Sequence, residues 1–308
     1  MVEQPRELLI EDPPTTDADT ALPFPFNQQR FCRYEPIEKQ IDAVRVLVVD
    51  SLLRDEDDLS DVARTDWGSA ASVEIKRERR IAGMAIENIV SNIERLVKEP
   101  ITEVTPLAAI AAAAKQFKPD AIVISGTLRD FDYYHPAVLE SFAEFIRFCT
   151  VPVLAICGGH QLVGLSFGAR VMTLDRLEQH EQRENRPLEY QYRFVRIIEP
   201  NDPIFSGINE PALNVTTQPR VLRVWQNHGL QLDRVPTGFE LLATSYLCRN
   251  QMMVKRIEGQ LIYTVQFHLE KSFEDWNKSR TRWEHQNESR DGRILFENFL
   301  QLALARSR

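Results

Sequence analysis

The sequence predicts an α/β protein with three layers, in which a doubly wound, mixed but mostly parallel sheet carries helices on both faces. Three short runs rich in β-branched residues lie in the first half of the chain, at residues 43–49, 120–125 and 151–156. Such runs are typical of strands that are buried on both faces. Segments with the apolar spacing of helices separate them, and this alternation favours parallel pairing, with ligands at the carboxyl ends of the strands.

The chain is predicted to form one domain preceded by an arm. Residues 1–41 contain several prolines among acidic residues and show no apolar period, which indicates an extended N-terminal arm. Residues 42–308 are predicted to form the domain. Within it, residues 51–80 are polar and run from acidic to basic, which indicates an insertion that is either a solvated excursion or a partner surface or lid.

The remaining elements follow from the spacing of apolar residues. Helices are predicted where these residues recur at three and four positions, at residues 81–98, 106–117, 136–148, 160–167 and 291–304. A short strand is predicted at residues 101–104. After Gly168 the runs are shorter and partly alternate, which predicts a mixed or antiparallel half packed on the same core, with strands at residues 190–198, 222–225, 240–245, 251–257 and 261–267.

Composition restricts the classes of function. The chain has 308 residues, of which 43% are hydrophobic and 27% charged, as in ordinary soluble proteins. The net charge of −8 argues against a nucleic-acid surface. No apolar stretch approaches the roughly 20 residues of a membrane span, and no signal pattern opens the chain, so a cytoplasmic protein without a membrane partner is expected. The four cysteines are scattered, which predicts neither a disulfide framework nor a zinc site.

Cys157 is the candidate nucleophile. It ends the strand predicted at residues 151–156 and is followed by two glycines and a helical segment. Small residues two positions before and after it, Ala155 and Gly159, form the pattern of a nucleophile elbow, in which a strained turn presents the reactive side chain. The N-terminus of the next helix favours a thiolate. The alternative is a buried cysteine in a glycine-rich turn.

Cysteine chemistry needs a base, and His268 is the candidate. It ends the run at residues 261–267, and Glu270 follows two positions later. Residues two apart on a strand point the same way, so this carboxylate can orient the imidazole as the third member of a triad. A strand-end histidine beside a solvated glutamate is the alternative. His160, on the helix after the elbow, is interpreted as structural.

Two motifs resemble the signatures of class I glutamine amidotransferases. They are CGGHQ at residues 157–161 and VQFHLE at residues 265–270, in the family's order and on the expected elements. Further similar segments are ISG at 124–126, DPIFSGI at 202–208 and QNHG at 226–229. The resemblance covers roughly residues 43–304 and implies the flavodoxin-like fold of that family.

The resemblance also implies a set of site residues. Cys157 would attack the side-chain amide of glutamine, with His268 as acid and base and Glu270 orienting it. Gly158 N–H and a backbone N–H at Gly126 or Thr127 would hold the oxyanion. The α-amino and α-carboxyl groups of glutamine would be bound by Gln161, Gln226, Asn227, His228 and Gly229. No metal and no cofactor is implied.

Two departures from the family pattern concern the catalytic loops. Residues 125–129 read SGTLR where members usually have SGGPG, so that Thr127 replaces the second glycine. This change favours a loop that is built differently or reshaped by a partner. Leu269 replaces the usual proline between the catalytic histidine and glutamate.

Three functions are compatible with these features. The chain has no GxxxxGK[ST] phosphate loop, so the first hypothesis is a glutaminase subunit that passes ammonia to a separate synthetase. The second is a γ-glutamyl hydrolase, although those relatives more often carry arginine where this chain has Gly158. The third is a catalytically silent binding or regulatory module, which the intact Cys157, His268 and Glu270 argue against.

Overall fold

The computed structural model describes residues 38–208, 221–257, 259–271 and 290–307. Of the predicted arm, residues 1–37 lie outside this part. The described strands are β1 (Ile41–Asp50), β2 (Val97–Pro106), β3 (Ala121–Ile124), β4 (Val153–Ile156), β5 (Val171–Thr173), β6 (Glu189–Ile197), β7 (Val221–His228), β8 (Leu230–Leu232), β9 (Glu240–Thr244), β10 (Met252–Lys255) and β11 (Ile262–Val265). The described α-helices are α1 (Asp61–Trp67), α2 (Ala71–Leu96), α3 (Ile110–Phe117), α4 (Pro136–Phe148), α5 (Gly158–Ser166) and α6 (Arg290–Ser307).

A nine-stranded sheet organises the molecule, in the order β2-β1-β3-β4-β11-β10-β9-β6-β7. The neighbours from β2 to β11 are parallel. From β11 to β7 every pair is antiparallel. The predicted mostly parallel α/β sheet with an antiparallel half is therefore confirmed. The small sheet of β5 and β8 was not predicted, because three-residue strands are too short to show a period.

Helices cover both faces of the sheet, and alternation along β1 shows why. Val44, Val46 and Val48 point into one core, which α6 and the C-terminal part of α2 complete. Leu47 and Val49 point into the other, with residues of α3, α4 and α5. A central parallel strand must be apolar on both faces, and the β-branched run at residues 43–49 meets that requirement.

Residues 51–80 differ from the predicted solvated excursion. They contain α1 and the first turns of α2, and Leu53, Leu59 and Ile75 are buried in the core. Ser60 begins α1 by accepting the backbone N–H of Ala63 at 3.2 Å, a capping bond that fixes the helix start. The sequence predicted a solvated excursion because this stretch is mostly polar and has few apolar residues in each helical turn.

The edge where the parallel strands end carries the predicted chemistry. Gly126, Cys157 and His268 follow β3, β4 and β11 at this edge. In the sheet, β4 lies between β3 and β11. Among the described residues, no helix is long and apolar enough to cross a membrane.

Candidate active site

Cys157 occupies a strained elbow between β4 and α5. Its backbone lies at φ 51° and ψ −105°, a region that non-glycine residues rarely adopt. The backbone N–H of Cys157 donates to Val265 O at 2.7 Å, which anchors the turn to β11. A Cβ at Gly159 would lie 2.9 Å from Ile124 O, so the residue two positions after the thiol has to be glycine. The fold thus accounts for the small residue that the elbow pattern predicts.

His268 and Glu270 form a hydrogen-bonded pair beside this thiol. The Nδ1 of His268 lies 2.7 Å from Glu270 Oε1, and the imidazole lies near enough to Cys157 for the charge of that side chain to act on it. Burial disfavours a charged imidazole, but the charges of Glu270 and Cys157 outweigh it, and the pKa of His268 is raised well above its usual range. The arrangement can support a thiolate–imidazolium pair.

Three contacts hold the turn that carries the pair. The backbone N–H of His268 donates to Trp225 O at 2.8 Å, which joins the turn to β7. Asn92 of α2 donates its Nδ2 to Glu270 O at 2.7 Å. A Cβ at Gly292 of α6 would lie only 2.7 Å from Leu269 O, so glycine lets this helix approach the turn closely. Two helices that are distant in the sequence, α2 and α6, therefore hold the turn that carries Glu270.

The predicted oxyanion residues lie next to the thiol. A Cβ at Gly126 would be 3.4 Å from both Cys157 Cβ and His268 Cε1. A Cβ at Gly158 would lie 2.4 Å from the backbone N of Thr127. The loop after β3 therefore packs directly on the first turn of α5, and backbone N–H groups from both segments border the same space.

Side chains from residues 51–80 contact that loop. Arg129 pairs with Glu74 at 2.7 Å and lies over the Trp67 ring at 4.8 Å. Glu78 is fully buried, with its Oε2 3.8 Å from Arg129 Nε, and burial raises the pKa of its carboxyl to about 7, against the attraction of Arg129. The residues that replace the usual SGGPG loop are thus bonded to α1 and α2.

Three of the five predicted substrate-binding residues belong to a buried amide network, namely Gln161, Gln226 and His228. Gln161 donates its Nε2 to Leu230 O and to Gln266 Oε1, both at 3.0 Å. Gln226 donates to Gln251 Oε1 at 3.0 Å, and His228 Nδ1 lies 2.9 Å from Leu230 O. Asn227 is exposed, whereas Gly229 is buried. The network supports β7 and the turn that follows it.

His160 is structural, as its position on the helix after the elbow indicated. It is fully buried, and its Nδ1 lies 2.7 Å from Thr264 Oγ1. Burial lowers the pKa of the imidazole to about 3, with His228 nearby adding to the shift. This histidine is therefore neutral and is not a second base.

Sequence reasoning missed Gln266. Its Nε2 lies 3.7 Å from the Cys157 Sγ, and its Oε1 accepts from Gln161, so it links the thiol to the buried amide network. A signal was available, because Gln266 precedes His268 by two positions and is a polar residue within an otherwise apolar strand end. Asn92 carried no such signal, since 178 positions separate it from Glu270.

Comparisons with known proteins agree on one family. The family model described as Glutamine amidotransferase class-I matches residues 85–285. One chain of the glutamine-hydrolysing GMP synthase of Thermococcus kodakarensis is 36% identical over 172 residues, which cover 55% of this chain and 74% of that protein. The corresponding chain of Methanothermobacter thermautotrophicus is 26% identical over 207 residues, which cover 67% of this chain and 84% of that protein.

Solved structures share the fold. The crystal structure of a protein from Thermoplasma acidophilum aligns with a TM-score of 0.52 at 22% identity and covers 85% of this chain and 94% of that one. That of a glutamine amidotransferase from Thermotoga maritima aligns with a TM-score of 0.50 at 17% identity, covering 85% and 98%. At these identities the likeness concerns the fold.

Proposed function

This chain belongs to the class I glutamine amidotransferase family, and we propose that it hydrolyses the side-chain amide of glutamine through a thioester on Cys157. The observation that carries this proposal is the arrangement of Cys157, His268 and Glu270 at adjacent strand ends, with Glu270 2.7 Å from the imidazole. The intact set is what covalent amide hydrolysis requires, and a silent module would have no need of it.

In the proposed first half-reaction, the Cys157 sulfur attacks the amide carbon of glutamine. Backbone N–H groups of Gly158 and of Gly126 or Thr127 stabilise the oxyanion, and each such donor is typically worth about 3 kcal/mol in the transition state. His268 then gives its proton to the leaving nitrogen. Ammonia leaves, and the γ-carbonyl of the substrate remains as a thioester on Cys157.

In the second half-reaction, water attacks the thioester. His268 accepts a proton from that water, Glu270 stabilises the imidazolium, and collapse of the tetrahedral intermediate releases glutamate and the Cys157 thiolate. The Nε2 of Gln266 lies 3.7 Å from the Cys157 sulfur, so its N–H group would orient the thiolate between turnovers.

The proposal assigns substrate binding to the predicted residues in two ways. Exposed Asn227 and the turn at Gly229 would contact the α-amino and α-carboxyl groups of glutamine. Gln161, Gln226 and His228 are buried, and they would hold that turn in place through the amide network, Gln161 and His228 by their bonds to Leu230 O.

We further propose that the ammonia goes to a separate synthetase chain. The relatives named above belong to glutamine-hydrolysing GMP synthases, so a GMP synthase-type partner is the first candidate. The altered loop at Thr127 is consistent with a site that reaches full activity when this partner binds. A cytoplasmic location, and a domain spanning residues 42–308 behind an arm at 1–41, complete the proposal.

The test is glutamate release from glutamine by the purified chain, measured beside a Cys157→Ala control. Release by the parent chain and none by the control supports the proposal. If neither releases glutamate, a glutamine-analogue electrophile that labels Cys157 indicates a competent site awaiting its synthetase, and addition of that partner should restore turnover.

The same assay distinguishes the other two functions. Faster turnover of γ-glutamyl amides than of glutamine, without any partner, would replace the proposal with a γ-glutamyl hydrolase. Neither turnover nor labelling of Cys157, with or without a synthetase, would leave the silent module.

A further inference from the structure

A second group of thiol, imidazole and carboxylate side chains lies inside the molecule, formed by residues other than Cys157, His268 and Glu270. Glu189 at the start of β6, His228 at the end of β7 and Cys248 in the turn after β9 place one ligand atom each within 4.8 Å of one another. All three side chains are buried. The proposed mechanism uses neither Glu189 nor Cys248.

The hydrogen bonds of His228 define its proton positions. Its Nδ1 lies 2.9 Å from Leu230 O, and because a carbonyl can only accept, Nδ1 carries the proton. The other nitrogen, Nε2, lies 3.0 Å from Glu189 Oε2. A proton on Nε2 would make no well-aligned hydrogen bond, because this buried atom has no partner of acceptable geometry. The Nε2 of His228 and the Oε2 of Glu189 are therefore two potential ligand atoms that lie 3.0 Å apart without a hydrogen bond between them.

The carboxylate of Glu189 is already held in one orientation. Its Oε1 accepts from Ser245 Oγ at 2.9 Å, and its Oε2 accepts from Gln251 Nε2 at 2.7 Å. Outer bonds of this kind, together with the Nδ1–H bond of His228 to a carbonyl, are what orients the ligands of metal sites. The separation of 3.0 Å between Nε2 and Oε2 is close to the roughly 3.3 Å expected between two ligands of a tetrahedral zinc ion.

We propose that Glu189, His228 and Cys248 bind one divalent transition-metal ion of the zinc class. Imidazole, thiolate and carboxylate are the donors that zinc takes in proteins, and three ligands leave one position for water or another oxygen. Gln226 lies two positions before His228 on the same face of β7, and its buried Oε1 has no hydrogen-bond partner. Binding the ion releases the thiol proton of Cys248.

The cluster lies close to a surface cavity. A surface cavity of about 480 Å³ is lined in part by Ser245, whose hydroxyl touches Glu189, and by the exposed Tyr246. The turn between Ser245 and Cys248 therefore lies between solvent and the cluster. Since His228 belongs to the predicted glutamine-contacting turn, an ion here would tie that turn to β6 and to the turn after β9.

Cobalt(II) is the probe, because a thiolate ligand gives it a near-ultraviolet charge-transfer band and a tetrahedral site gives it strong visible bands. The full chain carries Cys157→Ala throughout, so that the catalytic thiol cannot contribute. We expect one equivalent of cobalt to produce both bands, and zinc to displace it. Adding Cys248→Ser should abolish the charge-transfer band and raise the zinc dissociation constant by about 100-fold or more, beyond the loss typical of outer-shell changes.

Matched variants keep the result interpretable. Cys149→Ser removes another buried free thiol and should leave the cobalt spectrum unchanged. Glu189→Gln keeps the thiolate band and should weaken zinc binding at least tenfold, and it decides the matter if Cys248→Ser fails to fold. No thiolate band in the parent, a band that survives Cys248→Ser, or unchanged zinc affinity in Glu189→Gln would overturn the proposal. None of these readouts depends on glutamine turnover.

Discussion

Gly158→Ala should disable catalysis with only a moderate cost in stability. The added Cβ would lie 2.4 Å from the backbone N of Thr127 and 2.3 Å from its Oγ1. Ordinary contacts begin near 3.4 Å, so the loop after β3 must move by about 1 Å. Because the clash includes backbone, rotation of the Thr127 side chain cannot relieve it.

The magnitude follows from what that loop supplies. A misplacement of about 1 Å at a reacting centre costs on the order of 100-fold, and loss of one oxyanion donor costs about 100- to 1000-fold in kcat, or about 2.7–4 kcal/mol. We therefore expect kcat to fall by about 100- to 1000-fold. Overpacking costs about 1–3 kcal/mol of stability, partly offset because alanine is a better helix residue than glycine.

The assay is steady-state glutamate release, with the folded fraction of each variant checked by urea unfolding. Gly83→Ala is the matched control, because its Cβ would meet no heavy atom within 4 Å. It lies in α2 and should stabilise the chain by about 0.5–1 kcal/mol with kcat unchanged. Adding Thr127→Gly to Gly158→Ala should not restore activity, since the backbone contact remains.

A folded Gly158→Ala chain whose kcat stays within tenfold of the parent would refute this reasoning. It would mean that the loop at Thr127 supplies no donor to the transition state, or that it is displaced whenever substrate binds. Recovery in the double variant would assign the effect to the threonine side chain instead.

Three further predictions concern charge and support. Glu270→Gln removes the carboxylate that holds up the pKa of His268 against burial, so the alkaline limb of the kcat/KM profile should move to lower pH, with a lower maximum. The carboxyl of Glu78 keeps its proton up to a pKa of about 7 in the folded chain, from an ordinary value of 4.5, because it is buried. Between these two pH values the folded state therefore binds more protons than the unfolded state, so the stability that protonated Glu78 contributes is lost as pH rises through that window. Glu78→Gln should make this loss smaller, as measured by urea unfolding at pH 5 and at pH 8. Asn92→Ala leaves Glu270 O without its side-chain donor and should cost about 1–3 kcal/mol of stability, with a lower kcat at unchanged KM.

Each of these has a contrary outcome. An unchanged alkaline limb in Glu270→Gln would show that Glu270 does not set the charge of His268. A Glu78→Gln chain with the parent's pH dependence would place the titration elsewhere. A rise in KM alone for Asn92→Ala would assign this residue to substrate binding, and a loss of stability with full activity would make its role purely structural.

Local pattern was enough to predict the sheet and the triad. The β-branched run at residues 43–49 predicts a strand that is covered on both faces. The elbow at Cys157 is predicted by the small residues on either side of it. His268 and Glu270 are only two positions apart, which was enough to predict their pairing, although they lie in the turn after β11 and not on the strand itself. Parallel strands end at one edge, which brings the thiol and the imidazole together once both strands are predicted.

Only the tertiary structure decided which distant residues support that site. Asn92 reaches Glu270 across 178 positions, and Gly292 lets α6 approach Leu269, contacts that no spacing rule could predict. The same holds for Glu189, His228 and Cys248, which lie on two strands and a turn that become neighbours through the antiparallel order of β9, β6 and β7. Periodicity fixes which face a side chain occupies, whereas its partner on that face depends on how the elements pack.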